Sequence, residues 1–594
     1  MPRDAHVLRR RRHARGRRRR SVVVDPPPSG RGGAPYIRAT APTGEEHMRG
    51  LMMDDYQLTI DAIARRAETL FGRRAIVSRR CDRQVERSTY AEVLTRGRRL
   101  AAALHALGVR RGDRVATLCW NHRRHYEAYL AVPRMGAVLH TLNLRLHADE
   151  LAYIVNHADD RVVIVDASLL PLWHRVAPQV RVQHVIVVQE DGPNGSPLPE
   201  GAHDYDTLLD AAPDSFAFPA LDEHDAAAMC YTSGTTGRPK AVLYSHRALV
   251  LHTMAGAMGD GFGCRESDVI LPVVPMFHAN AWGFPYTAAL TGASLVFPGP
   301  HLDPASLLEL MVTERVTWAA GVPTIWLGLL AALDAAPGRY DLSALRGLIV
   351  GGAAPPPAMI NGFAQRHGID MCHGWGMTEL SPVGSIAAVP HTLHDAPREA
   401  QLAYRAKQGR PIPFVEIRAR GEDGLVPWDG STLGELEVRG PWVAASYYES
   451  DEGASRFTDD GWFRTGDVVA IWPDGTIEVA DRSKDLIKSG GEWISSVALE
   501  NALMGHPAVA EAAVIAVPDP RWQERPLAAV VLKPGATATP DELRAHLAPQ
   551  FASWWLPERF EFVDAIPRTS VGKFLKSALR ERFADSAVPA AAHV

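Results

Sequence analysis

The sequence predicts an α/β protein. A large N-terminal domain of parallel sheets layered with helices carries a small β-barrel-like subdomain and is hinged to a small α+β C-terminal domain. Three observations lead there. From Asp54 to about Asp481, short β-rich runs alternate with helical patterns, as in parallel strands joined through covering helices. Around Gly434 the texture changes to short strands between glycine turns, suited to a small antiparallel barrel or sheet. After "DRSKDLIKSGGEW" the pattern resets into a helix, two strands, a helix and a strand.

The elements follow in order. "LTIDAIARRAETLF" is the first patterned segment, and "YAEVLTRGRRLAAALHALG" is an amphipathic helix ending at Gly108. "RVVIVDA" and "VQHVIVVQ" are apolar runs of buried-strand length, and "AAAMCY" is another. "LRGLIV" is a strand running into the small-residue turn "GGAAPPP". "GELEVRG", "GWFRTGD" and "GTIEVADR" are the glycine-bounded strands. The C-terminal set is "SVALENALMGH" (helix), "EAAVIAVPD" and "LAAVVLK" (strands), then a further helix and strand. The boundaries expected are an arginine-rich disordered extension at 1–47, the large domain at 48–482, a mobile C-terminal domain at 483–585 and a disordered tail at 586–594.

At 594 residues the chain is too long for one compact core. Hydrophobic content of 46% and charged content of 22% are those of a globular protein. A formal net charge of -4 gives no support for a specific nucleic-acid binder. The five cysteines form no CxxC pair, which fits a reducing cytoplasm and argues against structural zinc. No apolar stretch reaches the roughly 18 to 20 residues that span a bilayer, so at most peripheral membrane contact is expected. "MPRDAHVLRRRRHARGRRRR" lacks the apolar region of a secretory signal. An organellar transit peptide, a nucleic-acid tail and a wrongly chosen start codon, with Met48 the true one, all remain open for it.

"CYTSGTTGRPKAVLYSHR" suggests a phosphate site. Gly234 and Gly237 let backbone N–H groups approach an anion, Tyr231, Thr232, Ser233, Thr235 and Thr236 add hydroxyls, and Arg238 and Lys240 add charge. It is not a Walker loop, because only two residues separate the glycines and the lysine does not follow the second. A flexible Gly/Ser/Thr connector is the plain alternative. "CHGWGMTEL" offers Trp375 for stacking, Thr378 as a hydroxyl and Glu379 as a hard ligand for Mg²⁺. "RTGD" sets Asp467 after a glycine turn, where its carboxylate can take both ribose hydroxyls, and "PRTSVGKFLK" carries Lys573 in a glycine-containing loop.

Taken in order along the chain, these motifs resemble the core motifs of the acyl-adenylate-forming superfamily. "PMFHANAWGFPY", "LYSHRALVLH" and "DRSKDLIKSGGEWISSVALENALMGHP" look like those of its bacterial medium- and long-chain fatty-acid–CoA ligases. The resemblance implies a site. Thr232, Ser233, Gly234, Thr235, Thr236, Gly237 and Lys240 would clamp the ATP phosphates, with Thr232 and Glu379 near Mg²⁺. Gly352, Ala353, Ala354, His373, Gly374 and Trp375 would hold adenine, with Gly376, Met377 and the catalytic Thr378 also in the ATP site. Asp467 and Arg482 would hold the ribose, and His278 and Trp282 would line and gate the acyl tunnel. Lys484 matches the hinge, Gly490, Gly491 and Trp493 the CoA channel, and Lys573 and Lys488 the lysines of the two half-reactions. One departure is Trp375, where the family usually has tyrosine: the aromatic face stays, the phenol is lost.

The resemblance implies ATP, CoA and a fatty acid as substrates, Mg²⁺ as cofactor, and a possible homodimer. The expected reaction is attack of a carboxylate on the α-phosphorus of ATP, followed by displacement of AMP by the CoA thiol. No enzyme nucleophile is needed, and none of the G-x-S-x-G type occurs. Transfer to a carrier protein and a nucleotide-binding pseudoenzyme are the rivals. The pair Gly490–Gly491 favours CoA, and retention of both Glu379 and Lys573 disfavours mere binding.

Overall fold

The computed structural model describes residues 52–53, 55–189, 197–232, 238–451, 453–489, 492–569 and 573–583. Two helix-covered sheets dominate. One has seven strands in the order His203–Asp204, His184–Val188, Asp160–Asp166, Arg114–Leu118, Val138–Thr141, Ala226–Tyr231 and Ala241–Ser245. All of its pairings are parallel except the last. The other has nine strands, with a parallel centre running from Met371–Gly376 through Gly347–Gly351, Trp318–Gly321, Val269–Pro272 and Ser294–Phe297 to Ala75–Arg79. Antiparallel strands close both of its edges. Strands buried on both faces must be apolar throughout, which is why "RVVIVDA" shows no alternation.

Local chemistry sets the element ends. The helix Tyr90–Ala106 starts on a capping box between Thr89 and Glu92, and the chain leaves it through Gly108 at φ 90°. The glycine-punctuated segment forms an antiparallel sheet of five strands, Gly424–Leu425, Glu416–Gly421, Gly434–Arg439, Phe463–Ile471 and Ile477–Arg482, as an open path. The C-terminal sheet runs Glu492–Ile494, Ile487–Ser489, Gln523–Leu532, Val509–Asp519, with Arg559–Phe562 parallel to Gln523–Leu532. Its alternating strand residues feed two cores: Ala512 and Val514 face Leu499, Leu503 and Leu543, whereas Ala513 and Ile515 face Ile566, Leu579 and Phe583. No helix among the described residues is long and apolar enough to cross a membrane.

The two large sheets are tied at the carboxyl ends of their parallel strands, where open α/β sheets bind ligands. Asn121, just beyond Arg114–Leu118, donates from Nδ2 to the carbonyls of Pro272 and Val274, both at 2.9 Å. Its Oδ1 accepts the Met276 N–H at 2.7 Å, and its own carbonyl accepts the Gly299 N–H at 3.1 Å. One buried amide therefore fixes the exit of Val269–Pro272, which leads into His278 and Trp282. Asn121→Ala leaves two carbonyls and an N–H without partners. Each buried orphan costs about 1–3 kcal/mol, so a destabilisation of about 3 kcal/mol or more is expected, read as a lowered urea midpoint.

Candidate active site

The strand Ala226–Tyr231 delivers Thr232 to the mouth of the glycine-rich loop. Thr232 N–H donates to the Lys240 carbonyl at 2.9 Å, and Lys240 N–H donates to Thr232 Oγ1 at 3.1 Å. These two bonds cinch the loop at its neck. Ser233, Gly234, Thr235, Thr236 and Gly237 lie outside the described residues. Lys240 Nζ lies 5.6 Å from the centre of the Tyr447 ring.

Across from the neck, Met371–Gly376 runs beside Gly347–Gly351. Gly352 turns the chain at φ 82°, followed by exposed Ala353 and half-buried Ala354. Gly376 is obligatory, since a Cβ there would lie 2.0 Å from the Pro382 carbonyl oxygen. Trp375 is buried with its ring against Gly384, and its indole N–H donates to Asp467 Oδ2 at 2.9 Å. Arg482 Nε meets the other carboxylate oxygen at 2.6 Å. The tryptophan that replaces the family's tyrosine thus orients the carboxylate expected to hold ribose. His373 is buried and paired through Nδ1 with the Lys407 carbonyl at 3.0 Å, and burial lowers its pKa to about 4, so it is neutral. Gly374 and Met377 are half-buried on the same wall.

Thr378 and Glu379 sit in a short 3₁₀ turn and are both buried. The Thr378 carbonyl accepts the Tyr244 hydroxyl at 2.7 Å. The Tyr447 hydroxyl donates to Glu379 Oε1 at 2.7 Å, and Ala444 N–H donates to the Glu379 carbonyl at 2.7 Å. Tyr244 and Tyr447 were not singled out by sequence, because a tyrosine that braces a carboxylate looks like any other core tyrosine.

The segment expected on the acyl side is strained. Ala279, Asn280, Ala281 and Trp282 have φ of 43°, 53°, 48° and 56°, and Gly283 follows at 79°. Left-handed helix costs L-residues roughly 1–2 kcal/mol each, so the surrounding core must over-determine this turn. It sets the Trp282 ring against Gly351, where a Cβ would come within 3.2 Å of Cη2. His278 precedes the turn; burial and the charges of Lys573 and Arg145 lower its pKa to about 3.

Lys573 arrives from the C-terminal domain. Its Cε would lie 3.9 Å from a Cβ on Gly352, and its charge senses Arg482, Asp467, Glu379 and Lys484. Among the described residues its ammonium has no ion-pair partner, and burial lowers its pKa to about 8. Lys484 is exposed on the short turn between Ile477–Arg482 and Ile487–Ser489, where its carbonyl accepts from Arg580 at 3.3 Å. Lys488 and Trp493 stand together on the hairpin that follows, with the ammonium 4.6 Å from the indole centre. Both are exposed, and neither is among the groups that chiefly shift Lys573. Gly490 and Gly491 lie outside the described residues.

Elsewhere, Cys119, His122 and Asp166 are close enough to share a metal ion. His122, however, gives Nε2 to Asp166 at 2.9 Å and Nδ1 to the His125 N–H at 3.1 Å as a helix cap, so this cluster is structural.

The sequence profile described as AMP-binding enzyme matches residues 63–448, and that described as AMP-binding enzyme C-terminal domain matches 498–573. A long-chain-fatty-acid–CoA ligase of Thermus thermophilus is 52% identical over 537 residues, 90% of this chain and 96% of the relative. A 3-methylmercaptopropionyl-CoA ligase of Ruegeria lacuscaerulensis is 45% identical over 542 residues, 91% of this chain and 99% of the relative. The crystal structure of an anthranilate CoA ligase with anthranoyl-AMP superimposes with a TM-score of 0.79 at 25% identity, covering 89% of this chain and 98% of that one.

A lysine pKa of about 8 carries a pH signature. The ammonium is charged below that pH and lost above it, so kcat/KM for ATP in acyl-AMP formation should be flat below about pH 8 and fall towards tenfold per unit above. Lys573→Arg, whatever its absolute rate, should abolish that fall, because a guanidinium stays charged.

Proposed function

Because the chain belongs to the AMP-binding enzyme family, we propose that it is an ATP-dependent fatty-acid–CoA ligase. It activates a medium- or long-chain fatty acid as acyl-AMP with release of pyrophosphate, then transfers the acyl group to CoA. The observation that carries this reading is Lys573: a lysine from the small domain reaches the turn at Gly352 with its charge among Asp467, Glu379 and Arg482.

The first step brings a carboxylate against a tetra-anionic triphosphate. Lys573 and Lys240 supply the positive charge that this like-charge encounter needs, and preorganised charge in a dry site is worth most in the transition state. Asp467, held by Trp375 and Arg482, takes the ribose hydroxyls. Thr232 and Glu379 are the residues that would hold Mg²⁺. Glu379 has one oxygen committed to Tyr447 and no second carboxylate beside it in a described metal-binding cluster. It would therefore contribute a single oxygen, as suits an ion that keeps most of its ligands from water and phosphate. When bound, Mg²⁺ neutralises phosphate oxygens.

In the second step the thiol sulfur attacks the acyl carbon and the bond to the AMP oxygen breaks. Lys573 has no part in it. Rotation about Lys484 would withdraw Lys573 and bring Lys488 with Gly490, Gly491 and Trp493 to the intermediate, so that one site can exclude water and later admit a long thiol. Homodimerisation and a cytoplasmic location belong to the same reading.

The likeness to a ligase of the short acid 3-methylmercaptopropionate keeps the tail length open to measurement. Thioester formation from ATP and CoA should be assayed across saturated acids of about four to eighteen carbons together with that acid. The proposal predicts the highest kcat/KM at eight carbons or more; a maximum on the short thioether acid would overturn the chain class, and no thioester with any acid would overturn the ligase.

Two substitutions separate the parts. Lys573→Ala should slow acyl-AMP formation about 10²- to 10³-fold, yet leave thioester synthesis from supplied acyl-AMP near the parental rate. Equal loss in both half-reactions would refute the two-orientation mechanism. Trp282→Ala removes the ring that packs on Gly351 and should shift the preferred acyl length while the KM for ATP stays within about twofold.

A further inference from the structure

Polar groups on the two sides of Lys484, the proposed hinge, hold each other. Before it, the strand Ile477–Arg482 is paired into the antiparallel sheet of the large domain beside Phe463–Ile471. After it, the helix Ser496–Met504 packs in the small domain. Two adjacent serines reach back from the start of that helix to the strand. The Ser495 hydroxyl donates to the Ala480 carbonyl and, as the helix cap, accepts the Ala498 N–H at 3.0 Å. Ser496 donates its N–H, at 2.7 Å, and its hydroxyl to Asp481 Oδ2. Asp481 Oδ1 accepts the Arg482 N–H at 2.7 Å.

This chain of bonds continues to the lysine loop. The Ser496 hydroxyl, its proton given to Asp481, accepts from Lys576 Nζ at 2.6 Å. Lys576 also pairs at 2.7 Å with Glu500, which the Val514 N–H holds at 2.7 Å. Asp481, Ser496 and Glu500 are all buried. Burial works against the Lys576 ammonium, but the carboxylates of Glu500, Asp481 and Asp485 outweigh it and raise its pKa. Lys576 follows closely on Lys573, whose loop is closed by the Thr569 N–H on the Lys573 carbonyl and the Leu575 N–H on the Pro567 carbonyl, at 2.7 and 2.8 Å. It is also the first residue of the helix Lys576–Phe583, on which Arg580, one turn along the same face, meets the Asp485 carboxylate and the Lys484 carbonyl. A cation at the start of one helix and beside the start of another opposes both dipoles, so helix stability does not explain it.

Resting on the ligase reading and its two domain orientations, we propose that Asp481 and Lys576, joined through Ser496, are positioning residues for adenylation that lock the small domain where Lys573 meets the turn at Gly352. Ala480 and Asp481 stay in their strand when the small domain rotates about Lys484. Ser495, Ser496 and Lys576 travel with that domain. A hydrogen bond at 2.7 Å is lost on a displacement of about an ångström. The lock therefore serves the first half-reaction and is open in the second. Neither residue touches a reacting atom; both act through Lys573.

The test is Asp481→Asn in the full-length enzyme, followed in both half-reactions with the best fatty acid. Acyl-AMP formation should fall about tenfold, the low end for hydrogen bonds to charged groups. Thioester synthesis from supplied acyl-AMP and CoA should stay at or above the parental rate, a split that a general lesion of the fold would not produce. Introduced into Lys573→Ala, the same change should lower acyl-AMP formation by no more than about twofold, because residues that act through one group are not additive with its loss. Ser496→Ala cuts the bridge while leaving Asp481 bonded to Arg482. It should show the same pattern more weakly, and decides alone if Asp481→Asn does not fold. Unchanged acyl-AMP formation or equal loss in both half-reactions would overturn the proposal. So would a full tenfold loss on top of Lys573→Ala, which would assign the effect to Arg482 and the ribose carboxylate. Failure of the parent enzyme to make any thioester would overturn the ligase reading itself, and the lock with it.

Discussion

The site is organised around a positive charge that the protein does not neutralise. Lys573 is brought from one domain to the turn at Gly352 of the other, loses water there, and finds no carboxylate within ion-pairing distance among the described residues. Burying an ammonium without a partner is expensive, and its lowered pKa is the direct expression of that cost. A polyanionic substrate relieves it. On the proposed mechanism, the same deficit would favour triphosphate binding and the domain orientation that delivers Lys573, and would cease to favour that orientation once pyrophosphate has left.

Around that charge, the remaining polar groups are held by second partners. Asp467 is aimed by Trp375 and Arg482, Glu379 by Tyr447, and the phosphate-loop neck by the reciprocal bonds of Thr232 and Lys240. Around Trp282, on the side proposed for the acyl chain, the constraint is steric. Four non-glycine residues in left-handed conformation put Trp282 against Gly351, and Asn121 fixes the strand exit from which that turn begins. Strain of this kind persists where the surrounding core over-determines it, and it marks the segment as one shaped for a task beyond packing.

Much of this was legible in the chain itself. The strands "RVVIVDA", "AAAMCY" and "LRGLIV" and the helix from Tyr90 lie where their patterns place them, because a strand covered on both faces cannot hide its apolar run. Asp467, Glu379 and Lys573 could be named because each sits in a short motif whose residue types suit its chemistry, and His278 and Trp282 because the segment that holds them resembles that of the fatty-acid–CoA ligases. The bracing tyrosines and Asn121 could not. Their partners lie far away in the chain, and nothing local distinguishes them from ordinary core residues.

What the sequence alone determined is the inventory: two kinds of sheet, a reset near Arg482, and an ordered set of motifs that match those of the AMP-binding enzyme family. Periodicity and turn chemistry are local, so they survive in one dimension. Only the tertiary structure decided which groups meet. It turned the Trp375 indole onto Asp467, wound the segment after His278 left-handed, and placed Lys573, not Lys488, over Gly352. Those outcomes depend on side-chain directions and on contacts between residues far apart in the chain, such as Trp375 and Asp467, whose separation is bridged by packing.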